Sequence, residues 1–209
     1  MLKNYFKIAF RNLVKNKLYS IINIVGLSVS LSAAILLLLW VWDELSFDKM
    51  HSKGDRIFRA AAAMGNTKDR IWEYTSAPLA IFGKEELPEI EDACRIQGSN
   101  NLLLFTYRDK KFNEKATYVD ANIFTLFNFH LLEGNPKKPF LDNRSIVLNE
   151  TLAKKYFGNE PAIGKLLQIK NGDSYKVTGI MEDMPLNSSL QYDLLLPFDI
   201  LAENRQNNP

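Results

Sequence analysis

From Tyr19 to Trp42 the chain reads YSIINIVGLSVSLSAAILLLLWVW, 24 residues without a charge. At ~1.5 Å per residue this predicts a helix of ~36 Å, which crosses a hydrocarbon core of ~30 Å with modest tilt. Tyr19 at one end and Trp40 and Trp42 at the other are amphipathic rings that favour the headgroup level, so the ends of the span are marked. A cleavable signal peptide is the rival reading, but its apolar region runs ~7–15 residues and closes on a small-x-small site. Ile35 to Trp42 offers bulky residues instead. The pattern predicts an uncleaved transmembrane anchor over 19–42.

Ahead of the span, Leu2, Tyr5, Phe6, Ala9, Phe10 and Leu13 recur at helical spacing opposite Lys3, Lys7, Arg11 and Lys15, while Ile8 and Val14 fall off the stripe. Such a helix, over 1–17, would lie in the cytoplasmic interface with these cations and Lys17 toward lipid phosphates. A continuous extension of the span into the cytosol is the alternative. Inside the span, Gly26, Ser30 and Ala34 are spaced four apart, a small-residue face that admits a second helix, and the hydroxyls of Ser28, Ser30 and Ser32 favour such packing over a lone lipid-facing span.

Beyond Trp42 the period changes. DELSFDKMHSKGDR reads as a polar connector. Ile57 to Met64 is strand or helix, with the following Gly65-Asn66 favouring strand. Ser76 as N-cap and Pro78 in the first turn predict a helix ending before Pro88. Ala93–Gln97, Leu102–Tyr107 and Phe112–Val119 read as strands, with Arg108–Lys111 as a hairpin connection. Asp120 caps a short helix over 121–127, and Phe129–Leu132 is a further strand. Ser145–Leu148 opens a second unit, followed by a helix over Glu150–Tyr156 that stops at Gly158. Asn171-Gly172 predicts a type I′ turn between strands Leu166–Ile169 and Tyr175–Met181, and Gln191–Leu196 is the last strand before a helix starting at Asp199. Short strands with a few helices and no regular βαβ alternation argue an α+β domain over 43–209, of two lobes at about 43–141 and 142–197. No closing strand follows, so the domain reads as incomplete, with residues 198–209 loosely packed.

Charge sharpens this organisation. Residues 1–42 hold five of the 26 Lys and Arg and none of the 24 Asp and Glu, so the remainder carries 21 basic against 24 acidic residues. By the positive-inside rule the N-terminus is cytoplasmic and Asp43 onward lies outside. An acidic remainder is a poor footprint for nucleic acid, which is set aside. Cys94 is the single cysteine, so the domain has no internal disulfide.

Candidate chemistry is sparse. His51 and His130 are the only histidines and lack the spacing of a zinc site. Glu85, Glu86, Glu89, Glu91 and Asp92 crowd one helix end, where a solvated face is the ordinary outcome. Asn143, Asn149 and Asn187 open sequons that matter only in a eukaryotic secretory route. No nucleophile elbow, phosphate loop or dinucleotide fingerprint is present. No catalytic residue, metal or cofactor is expected, and the chain is not read as an enzyme.

The opening block MLKNYFKIAFRNLVKNKLYSIINIVGLSVSLSAAILLLLWVWDELSFDKMHSKGDRIFR resembles the start of a MacB/FtsX-type ABC transporter permease. The likeness continues through TSAPLA, ELPEIEDACRI, YVDANIFTLFNFHLLEGNP and SIVLNETLAKKYFGNEPAIGKLLQI. It implies an inner-membrane permease subunit with a MacB-like periplasmic core domain of two lobes. It also implies a cytoplasmic ABC ATPase partner, a homodimer in the intact permease, and in some members a periplasmic adaptor and an outer-membrane channel. Movement of the periplasmic domain would be driven from the ATPase for export or envelope remodelling. In such permeases a return segment and further spans follow, so this chain reads as the N-terminal piece. The competing classes are a single-span sensor or binding module and an anchored enzyme resting on the scattered carboxylates.

Overall fold

The computed structural model describes residues 2–63, 71–98, 102–169, 172–201 and 203, and divides into two compact units, Met1–Phe47 and Asp48–Pro209. The first unit holds two helices, α1 (Leu2–Lys15) and α2 (Lys17–Ser46). Asn16, at φ −106° and ψ 56°, interrupts them. Ser20 closes the corner, its hydroxyl donating to the Leu13 carbonyl at 3.0 Å, and it is the one buried residue of α2. Residues 2–15 therefore form a helix of their own and not a straight continuation of the span.

The second unit is a mixed α+β domain. A two-stranded ribbon pairs β1 (Ala62–Ala63) with β2 (Ile71–Trp72), and α3 (Pro78–Glu86) follows. The remaining elements build one sheet: β3 (Ile96–Gly98), β4 (Leu103–Tyr107), β5 (Lys110–Glu114), β6 (Ala116–Val119), α4 (Ile123–Leu126), β7 (Leu131–Glu133), β8 (Ser145–Asn149), α5 (Glu150–Phe157), β9 (Leu166–Ile169), β10 (Ser174–Met181) and β11 (Leu194–Pro197). The strand order is β3-β6-β11-β8-β10-β9-β4-β5, with β7 pairing antiparallel to the end of β10.

Strands β8 and β11 sit at the centre because they are apolar on both faces. All of SIVLN and all of LLLP are buried. Ile146, Leu148, Leu194 and Leu196 join a core with Phe105, Tyr156, Phe157 and Leu167. Val147 and Leu195 point the other way, into a second core with Ile123, Phe124, Phe129 and Met181. Alternation within one strand thus feeds two cores. Amphipathic α5 buries Leu152, Ala153, Tyr156 and Phe157. Its N-cap is Asn149, whose side chain accepts from Leu152 N–H at 2.8 Å, and Gly158 ends it at φ +63°. The register of β10 shifts against β8 between Val177 and Gly179, and β7 comes close to β10 at Gly179. A Cβ on Gly134 there would stand 2.8 Å from the Thr178 carbonyl oxygen, at a φ of +112°.

Several expectations are corrected. The predicted strand Phe112–Val119 is two strands broken at Lys115: β5 pairs with β4 at one edge, whereas β6 lies between β3 and β11. The hairpin into β5 is tight, with Arg108 at φ +52°. Asp120 does not cap α4, because its carboxylate is taken by Arg95, and the cap position falls to Asn122 without a side-chain bond. Ser76 is not the side-chain cap of α3; Ala77 occupies that position, and no residue of α3 is buried. Of Ile57–Met64 only Ala62 and Ala63 are in a strand, with Met64 outside the described residues. Asn171 also lies outside them, while Gly172 has φ +90° and its neighbours close a turn from Ile169 to Asp173.

Strands from either side of the expected 141/142 boundary interleave in the single sheet, β6 against β11 and β4 against β9, so that boundary does not separate two sheets. The strand nearest the end of the chain, β11, is covered on both sides by β6 and β8, and Phe198 and Ile200 are buried. The expected loose packing therefore fails at 198–200; residues 204–209 lie outside the described residues.

Candidate functional site

In the first unit the predicted site residues lie on its two helices. Lys3, Lys7, Arg11 and Lys15 are exposed along α1, and Lys17 opens α2. Helix α2 runs past Trp42 through Asp43 and Glu44 to Ser46. Its 30 residues span ~45 Å, the thickness of a bilayer with its headgroups. Its most apolar window is entirely exposed, and Tyr19, Trp40 and Trp42 project outward. By length and composition this helix is able to cross a membrane.

Gly26, Ser30 and Ala34 are all exposed on α2, and a Cβ on Gly26 would meet nothing within 4 Å. Two of the hydroxyls are satisfied within the helix: Ser30 donates to the Gly26 carbonyl at 2.9 Å and Ser32 to that of Ser28 at 2.7 Å. The face is an open small-residue surface on which the Ser30 and Ser32 hydroxyls are bonded within the helix.

The second unit begins with a fastening that the polar connector DELSFDKMHSKGDR did not announce. Asp48, at φ +56°, donates its backbone N–H to the Asn187 carbonyl at 2.9 Å. Its carboxylate accepts from Ser189 N–H at 2.8 Å and from the Ser188 hydroxyl at 3.4 Å. Burial pushes this carboxyl up, but the bonds from Ser189 and Ser188 outweigh it and hold the group below its ordinary value. Ser52 donates both its backbone N–H and its hydroxyl to Asn128 Oδ1 at 2.9 Å. Between them His51 is buried, its Nδ1 accepting Asn128 N–H at 3.3 Å and its ring edge-on to Phe127 and Phe129, each at 5.3 Å. Desolvation lowers the His51 pKa against the opposing pull of Asp48. No local pattern marks these contacts, since the partners stand 76 to 141 residues apart.

A second fastening ties the last described residues into the sheet. Arg95 grips Asp120 through both Nε and Nη2, at 3.0 and 2.7 Å, reaches Asp199 at 3.3 Å, and lies 4.2 Å over the Phe198 ring. The Asp120 hydrogen bonds push the guanidinium further up. Beside it an open cleft of about 570 Å³ is lined by Ile81, Lys84, Asp92, Arg95, Asp120 and Asn122. Within it Lys84 pairs with Asp92 at 2.7 Å, and Asn122 donates to the same carboxylate at 2.8 Å. Of the neighbouring carboxylates, Glu91 takes Arg56 at 2.5 Å on an exposed surface. Burial pushes the Cys94 thiol up to about 12, which leaves it a poor nucleophile. Asn149 is buried under its capping role, so it is no sugar acceptor in the folded chain. Among the described residues no group of three or more metal-ligating side chains occurs, and His130 is exposed.

The profile of the MacB-like periplasmic core domain matches residues 20–208, taking in most of the apolar helix together with the whole sheet. The chain belongs to the MacB-like periplasmic core domain family. Among solved structures it is similar to a domain of a candidate permease protein from Porphyromonas gingivalis, with 28% identity and a TM-score of 0.54 over 62% of this chain and 55% of that one. It is also similar to the periplasmic region of MacB from Actinobacillus actinomycetemcomitans (19% identity, TM-score 0.45, 56% of this chain and 52% of that one). A third likeness is to the extracellular domain of the noncanonic ABC-type transporter YknZ from Gram-positive bacteria (16%, 0.47, 62% and 66%). The chain thus spans between about half and two thirds of the structures it matches. No curated protein matches it. The MacB-like core domain here is a mixed α+β domain preceded by one helix long and apolar enough to cross a membrane.

Proposed function

We propose that the chain is the N-terminal part of a permease subunit of a MacB/FtsX-type ABC transporter, with α1 in the cytoplasmic interface, α2 across the inner membrane and the sheet domain in the periplasm. The observation that carries this reading is a single family match running from the apolar helix through the sheet, 20–208, on a chain whose first 42 residues hold cations and no acids. The partner implied is a cytoplasmic ABC ATPase, met through parts of the permease outside this chain. ATP-driven motion would reach the periplasmic domain in part through α2, in a homodimer whose α2 helices meet along Gly26, Ser30 and Ala34. A periplasmic adaptor and an outer-membrane channel would complete an exporter.

Topology tests the first half. Alkaline phosphatase fused after Met50 is expected to be active, because the charge bias places that residue outside. Neutralising Lys3, Lys7, Arg11, Lys15 and Lys17 together is expected to scramble the orientation; an unchanged result overturns the charge argument. Coupling is tested on the intact permease with its ATPase in vesicles. Cross-links between cysteines placed at Gly26 in two subunits are expected to form, and distances between labelled sheet domains to change on ATP binding. Distances insensitive to nucleotide would remove the coupling role.

A further inference from the structure

We propose that His51 is an acid-sensitive latch holding the residues that follow the apolar helix onto the α4–β7 loop. The side chain is 9% exposed and stands between Phe127 and Phe129, whose own rings stack 5.4 Å apart. Its Nδ1 accepts Asn128 N–H at 3.3 Å, which only an unprotonated Nδ1 can do. The imidazole proton therefore sits on Nε2, a buried nitrogen with no hydrogen-bond partner among the described residues. Protonation places a second N–H against the N–H of Asn128 and gives neither ring donor an acceptor. It also buries a charge against apolar rings.

The surrounding charges do not rescue the protonated form. On its own segment Asp48 pulls toward protonation, while the ammonium of Lys53 is turned to the Thr125 carbonyl at 3.5 Å. From the loop across, the groups that face His51 are Phe127, Asn128 and Phe129, all uncharged. His130, Glu182 and Asp183 line a cavity of about 170 Å³ with Asn128 and Phe129, and His51 is not among its lining residues. Desolvation prevails and the folded ring binds its proton less readily than the unfolded one.

The sign follows. A histidine with a depressed folded value contributes stability above the unfolded value of ~6.5, and loses it as pH falls below that point. The Asp48 bonds to Ser188 and Ser189 persist there, because that carboxyl is held below its ordinary range. Between these two titrations the segment stays pinned at Asp48 while His51 and Ser52 leave Asn128. The latch thus frees one of two fastenings.

The experiment uses the full chain in lipid nanodiscs. Carbon-bound imidazole proton shifts are followed against pH, with exposed His130 as internal reference, since the chain has two histidines. Amide exchange is compared at about pH 7.5 and about pH 5.5 after correction for intrinsic rates. His51 is expected to titrate below ~6.5, the value of an unperturbed imidazole. Protection of the Asn128 and Ser52 amides is expected to fall about tenfold at the lower pH, the factor that one pKa unit represents, while that of Ser189 holds. His51→Gln, whose amide oxygen accepts at any pH, is expected to abolish the dependence. His51 titrating at or above ~6.5 overturns the proposal. So does Asn128 protection that ignores pH, or loosening of Ser189 together with Asn128, which would be general unfolding.

Discussion

Helix α2 and the central strands β8 and β11 are built from the same side chains turned to opposite uses. In α2, Leu36 to Leu39 are each more than 60% exposed; in β11, Leu194 to Leu196 are fully buried. Composition does not separate them, and length does. A helix satisfies its backbone within the segment, so a long apolar one can stand in lipid without neighbours. A four-residue strand leaves its backbone unpaired until other strands flank it, so its leucines must be covered by protein.

The contrast breaks most visibly under truncation. Leu196→Ala is expected to destabilise the sheet domain by about 2–5 kcal/mol, because both transfer and cavity terms apply in a close-packed core. Leu37→Ala in α2 leaves that domain's unfolding unchanged, and shifts only helix insertion by a few tenths of a kcal/mol. Thermal unfolding of the full chain in detergent, followed by near-ultraviolet dichroism, separates them. Equal shifts in the two variants would mean that α2 belongs to the domain's core.

The same logic shows what was legible in the sequence. Elements whose signals are local read correctly: the uncharged run of α2, the strand over 145–148, and α5 with Gly158 ending it; the Asn149 cap was not read. Elements whose partners are remote did not. Nothing near Lys115 marks the break between β5 and β6, because it exists only to send one strand to β4 and the other to β11. Asp120 has the chemistry of a helix cap, yet Arg95 claims it from 25 residues away. Asp48 and His51 looked like linker residues because their partners come from 125–130 and 187–189. The cations and the small-residue face of the candidate site were visible; the fastenings beyond them were not.

A smaller effect compares two of the domain's short helices, α5 and α3. In α5 the Asn149 side chain accepts from Leu152 N–H and donates to Asp193 at 2.9 Å, both in buried or half-buried surroundings. Asn149→Ala is expected to cost about 1–2 kcal/mol, the loss of a cap with a partner left unmet. Ser76→Ala before α3 is expected to stay within about 0.5 kcal/mol, because no side-chain bond caps that helix. Urea midpoints of the full chain at constant m-value check both. A large loss for Ser76→Ala would show that α3 is capped in solution in a way its geometry does not display.

The smallest effect concerns the charge at the start of the domain. Asp48 sits at φ +56°, a conformation asparagine tolerates as well as aspartate, so Asp48→Asn removes the charge without adding backbone strain. The folded carboxyl is held below its ordinary value, so it contributes stability above the unfolded value of ~3.9 that is lost as pH falls through its folded value. At neutral pH the substitution is therefore expected to cost less than about 1 kcal/mol, the site being half open to solvent and screened. The penalty should vanish in acid, where wild type and variant carry the same charge. Asp43→Asn, on exposed helix in the other unit, is expected to leave the domain's stability unmoved at every pH. The variant has a second, independent signature. Asp48 is the carboxylate that favours His51 protonation, so its removal is expected to push the His51 titration further down. A stability penalty with no movement of His51 would mean that Asp48 acts through Ser188 and Ser189 alone, and that the two fastenings are electrostatically independent.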